Sequence, residues 1–105
     1  MIQVVFTVDS GVITGFSLSG HADYSENGSD IVCAAVSSAA YMTANTLTEI
    51  LSLPCSQTVD EGLMNISLSK QDAEKAQEIL SGFLLHLDAL SKEYSDFIQL
   101  KISEV

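Results

Sequence analysis

The apolar residues of this chain recur with two different periods, and the order in which those periods follow one another leaves few possible folds. Ile2, Val4, Phe6 and Val8 alternate along the chain, as do Val12, Thr14, Phe16 and Leu18, and alternation puts each set on one face of a strand. Asp9-Ser10-Gly11 supplies turn residues between them, so the pair reads as a hairpin. The pattern stops from Gly20 to Asp30, a polar, glycine-containing stretch without period that reads as a loop. Beyond it, Val36, Ala39, Ala40, Thr43, Leu47, Ile50 and Leu51 fall at helical spacings over residues 34–51, with Pro54 just past the end. The first helix is therefore expected to begin near Cys33.

Residues 57–60 and 63–68 form a second hairpin around Asp60-Glu61-Gly62, with Met64, Ile66 and Leu68 alternating. Ser69 is a suitable N-cap for a second helix over residues 71–94, where Asp72 and Glu74 complement the helix dipole. Its inner stripe is Ala73, Ala76, Ile79, Leu80, Phe83, Leu87 and Leu90. Ile98, Leu100 and Ile102 alternate in a closing strand. The order ββαββαβ predicts an α+β domain of two layers over residues 1–105, a mostly antiparallel sheet packed against two helices. With 105 residues and 47% hydrophobic side chains, the chain is long and apolar enough to fill one core.

Composition narrows the function. Four Lys, no Arg and 14 Asp plus Glu give a net charge of −10, which repels phosphate backbones and argues against direct nucleic-acid binding. The same field attracts a basic polypeptide, although acidity also serves solubility alone. Uninterrupted apolar runs such as Phe83-Leu84-Leu85 are far shorter than the roughly 20 residues of a membrane span, so no membrane partner is expected. The N-terminal residues lack a basic region and a small-residue cleavage site, which suggests a cytoplasmic protein. Two cysteines do not make a disulfide framework there.

Cys33 follows the loop at the expected helix start, where unsatisfied N–H groups and the helix dipole favour a thiolate. His21, across the loop, can accept the thiol proton and return it to a leaving amine. Asp30 can cap the helix, orient His21 or bond the loop backbone, and the sequence does not separate these roles. Ser37 lies one turn after Cys33 on the same face, and the backbone N–H groups of Cys33 and Ala34 are candidates for an oxyanion hole. Closure of residues 22–29 over a bound peptide would bring base and nucleophile together. Against this, free cysteine usually packs as a small hydrophobe, and catalytic sets are recognised by geometry rather than spacing. His86 reads as a packed or surface residue and Cys55 as an ordinary thiol. His21, Cys33, Cys55 and His86 show none of the paired spacings of a zinc site, so neither metal nor cofactor is expected.

Gly20-His21-Ala22 followed by Asp30-Ile31-Val32-Cys33-Ala34-Ala35-Val36-Ser37 closely resembles the ribosomal-processing cysteine protease family, Prp. The resemblance implies a peptidase with Cys33 as nucleophile and His21 as base, and with Gly20, Asp30 and Ser37 at the family's other motif positions. It also implies a homodimer and a substrate: the N-terminal extension of large-subunit ribosomal protein number twenty-seven, a basic protein, cut after an aromatic residue. The competing reading is a non-catalytic ribosome-assembly factor that binds a basic ribosomal protein. A thiol oxidoreductase ranks last, because the chain has no Cys-x-x-Cys.

Overall fold

In the computed structural model, which describes residues 1–20 and 27–105 and, for residues 27–30, the backbone alone, the chain forms a five-stranded sheet with helices on one face. The strands are β1 (Ile2–Asp9), β2 (Val12–Ser19), β3 (Ser56–Asp60), β4 (Leu63–Ser67) and β5 (Ile98–Glu104), in the spatial order β3-β4-β2-β1-β5. All neighbours are antiparallel except β1 and β5, whose parallel register sets Ile2 beside Ile98. The helices are α1 (Asn27–Asn45), continued by a π turn (Thr46–Ile50), α2 (Lys70–Ala73) and α3 (Gln77–Glu93), the last two joined by a 3-10 turn (Glu74–Ala76). The expected α+β order ββαββαβ is therefore present, with α2 and α3 as the two parts of the second helix.

Local chemistry accounts for the joints. Ser10 and Gly11 both have positive φ, the two-residue turn whose twist matches a right-handed hairpin. The Ser69 side chain accepts the Asp72 N–H at 3.2 Å and starts α2 as its N-cap. Gln77 fastens α3 to the sheet: its side-chain amide receives the Ile13 N–H at 2.9 Å and donates to the Ile13 carbonyl at 2.8 Å. Phe83 of α3 packs against Phe6 and Phe16, with ring centroids 5.4 and 4.8 Å away, and these rings centre the core.

Four expectations need correction. The first helix begins at Asn27, six residues before Cys33, so residues 27–30 of the expected loop are helical. In β2 the inward residue is Ile13 rather than Val12 or Thr14, because a bulge opposite Thr7 and Val8 inserts Thr14 and shifts the alternation by one residue. At the end of the first helix, Ile50 and Leu51 are exposed rather than buried. There the Leu51 N–H reaches back to the Thr46 carbonyl at 2.9 Å, and a π turn rotates later side chains off the α-helical stripe. Finally, Ile31–Ile50 is long and apolar enough by composition to cross a membrane, because alanines between short polar residues raise its hydropathy without any long apolar run. Its inner residues Val32, Val36, Ala40, Thr43 and Leu47 are buried in the core.

Candidate active site

At the end of the sheet where β1 and β4 begin and β2 ends, a cavity of about 160 Å³ opens between α1 and the strands. Helix α1 contributes Cys33, Val36, Ser37 and Tyr41 to its wall. Positions 33, 37 and 41 lie successively one turn apart, so their side chains form one row along the helix. Ile2 and Leu18 close the cavity from β1 and β2, and Asp60, Gly62, Leu63 and Met64 close it from the second hairpin. Cys33 is half-buried and packs against the core from this wall.

Gly20, the residue before His21, has φ +85°, a conformation in which a side chain is strained. A Cβ there would lie 2.5 Å from the backbone oxygen of Met1. Its N–H donates to the Gly62 carbonyl at 3.0 Å, which ties the end of β2 to the turn between β3 and β4. The chain entering His21 is thus fixed on two sides by backbone.

His21 itself lies outside the described residues, as do residues 22–26 and the side chain of Asp30. Gly20, Cys33 and Ser37 all line the one cavity. Ala34 is exposed and is not among the lining residues. The early start of α1 also overturns two arguments made for Cys33. It is the seventh residue of the helix, past the four whose N–H groups lack an intrahelical partner, so the N–H groups of Cys33 and Ala34 are committed to the helix ladder rather than to an oxyanion hole. The dipole effect falls off within the first turn, so it does not act at Cys33 either.

The other two candidates sit elsewhere. His86 is exposed on α3. Cys55 is half-buried ahead of β3, where its Sγ–H donates to the Leu53 carbonyl at 3.5 Å. Burial, with the Asp72 carboxylate adding to it, pushes this thiol up, so it stays protonated and unreactive at neutral pH. Among the described residues no group of three or more His, Cys, Asp or Glu side chains is arranged to hold a metal.

Much of the wall lies outside the motif. Tyr41 was within reach, since the row from Cys33 to Ser37 continues to it. Asp60, Leu63 and Met64 join the site only because β4 pairs with β2, and no local signal foretells that pairing.

Comparison with known proteins gives the family of the chain that carries this cavity. The family model described as cysteine protease Prp matches residues 1–99. The chain belongs to the Prp family of cysteine proteases. It is 34% identical over 103 residues to the ribosomal processing cysteine protease Prp of Staphylococcus aureus, covering 95% of this chain and 97% of that one. The Bacillus subtilis Prp is 26% identical over 98 residues, covering 88% and 87%. Among solved structures, a Streptococcus mutans protein matches with a TM-score of 0.89 at 37% identity, covering all of this chain and 96% of that one. The S. aureus Prp in complex with a substrate peptide matches with a TM-score of 0.87 at 31% identity, covering 98% and 100%. This Prp relative is a cysteine-type peptidase of the ribosomal-processing family, and the non-catalytic alternative is set aside.

Proposed function

We propose that the chain removes the N-terminal extension of large-subunit ribosomal protein number twenty-seven, with Cys33 and His21 as its catalytic dyad. The observation that carries this reading is the position of Cys33 on the wall of a cavity that Gly20, the residue before His21, also lines. His21 takes the thiol proton as Sγ attacks the scissile carbonyl and returns it to the departing amine, which leaves a thioester. Water, deprotonated by the same imidazole, then hydrolyses the thioester and restores the thiol. A S. aureus Prp was crystallised with a covalently linked product peptide, as a covalent mechanism of this kind allows.

The cavity also suits the substrate. A space of about 160 Å³ is close to the size that holds one benzene ring in a protein interior, so it accepts one aromatic side chain before the scissile bond. A net charge of −10 draws in a basic ribosomal protein. We place this reaction in the cytoplasm, where that substrate is made, and assign the enzyme as a homodimer. Tyr41 and Met42, half-exposed side by side on α1, give a second copy an apolar surface to cover.

Incubation with the extended ribosomal protein, followed by mass spectrometry of the product's N-terminus, tests the reading. Wild type should release one peptide ending in an aromatic residue, Cys33→Ala should release none, and Cys55→Ala should match wild type. Normal turnover by Cys33→Ala would sink the assignment. Sedimentation velocity measures the dimer directly.

A further inference from the structure

The cavity beside Cys33 is apolar along most of its wall, with Ile2, Leu18, Val36, Leu63 and Met64, and Asp60 is the one acidic residue among its described lining residues. None of the four lysines lines it. Lys75 and Lys92 are engaged on their own helical segments, 3.8 Å from Asp72 and 2.9 Å from Asp88. Asp60 closes β3 at the hairpin turn, where its Oδ1 accepts the Glu61 N–H at 2.7 Å. That bond engages Oδ1 and leaves Oδ2 for another partner. The Gly62 carbonyl, two residues on, receives the Gly20 N–H, so the turn that carries Asp60 is tied to the strand end that leads into His21. A polypeptide whose side chain fills the apolar part of the cavity comes close to this residue at the rim.

We infer that Asp60 is a specificity-determining residue that pairs with a lysine or arginine side chain of the substrate close to the scissile bond. The inference rests on the proteolytic reading above and adds to it a local charge contact, distinct from the general acidity of the surface. Asp60 is exposed, so the pair forms at the rim of the cavity. Its effect is that of a surface ion pair, about three- to fivefold, and it weakens as salt is raised.

The test uses quenched-fluorescence peptides spanning the extension junction, each carrying Lys, Ala or Glu at one position on either side of the scissile bond. Wild type should prefer Lys over Ala at one such position by about three- to fivefold in kcat/KM, mainly through KM. D60N keeps an oxygen for the Glu61 N–H but loses the charge, and should bring that ratio close to one. D60K should favour Glu at the same position. E61Q removes the same net charge one residue away, outside the cavity wall, and should leave the ratio as in wild type. At 0.5 M NaCl the wild-type ratio should shrink. Equal ratios for wild type and D60N, or equal losses in D60N and E61Q, would overturn the inference while cleavage itself upheld the protease reading. Fluorescence anisotropy of the same peptides on C33A and C33A/D60N reads the contact without turnover. Failure of wild type to cut any peptide would instead strike the substrate assignment, and equal binding of Lys and Ala peptides by C33A would still refute the role of Asp60.

Discussion

Replacing Gly20 by alanine perturbs fold and active site through one methyl group. At φ +85° an L-residue pays the left-handed penalty of about 1–2 kcal/mol, part of which is offset because alanine also narrows the unfolded ensemble. The new Cβ would stand 2.5 Å from the Met1 carbonyl oxygen, which is backbone and cannot swing aside as a side-chain tip would. Moving it disturbs the start of β1, where the Ile2 N–H donates to the Phe97 carbonyl at 2.8 Å, and weakening that bond costs about 1 kcal/mol more. The sum is about 2 kcal/mol, or a fall in Tm on the order of 10 °C for a domain of this size. Gly11→Ala separates the two causes. Gly11 has a similar φ of +82° but nothing within 4 Å of its Cβ, so it should lose only about half as much. Calorimetry gives both values. Peptide cleavage, measured below both transitions, should fall at least tenfold in Gly20→Ala, because His21 is the next residue and displacements of about 1 Å cost that much or more. A Gly20→Ala protein melting within 2 °C of wild type would refute the close-approach argument.

Other outcomes follow from the same structure. Gly82 lies exposed within α3 with nothing within 4 Å of its Cβ, so Gly82→Ala should raise stability by about 0.5–1 kcal/mol in urea denaturation. His21→Ala should lower kcat/KM by about 10²-fold or more while His86→Ala has little effect; equal losses in two folded proteins would remove His21 from its role. Cys55 is held protonated in the folded state, so above pH of about 8.5 the unfolded chain releases the thiol proton more readily than the native one, and stability falls as pH rises. Cys55→Ala should flatten that decline in denaturation midpoints measured between about pH 8 and 10, and an unchanged slope would reject the burial argument.

Much of this architecture was legible because alternation and helical spacing report which side of an element is buried. All five strands and the second helix follow from it, and Ser69 was recognisable as a cap because its chemistry is local. What failed was phase. A single extra residue, Thr14, reversed the inward set at the start of β2, and the π turn at Thr46–Ile50 did the same to Ile50 and Leu51. Asn27 to Asp30 carry no apolar residue to mark their helical turn, so periodicity alone starts α1 late and gives Cys33 a helix-start environment it does not have. The motif named Gly20, Cys33 and Ser37, and these do share a cavity. Asp60 stayed invisible because its place depends on a pairing of distant strands.

The parallel pairing of β1 with β5 has a consequence for how the enzyme is made. β1 leaves the ribosome well before β5, so one edge of β1 stays open until β5 has been made. Contacts across so long a stretch of chain form slowly compared with local hairpins. Ile2 belongs both to that late pairing and to the wall beside Cys33, so the nascent polypeptide carries Cys33 before the cavity around it is finished. A chain stalled before Ile98 should therefore be proteolytically silent.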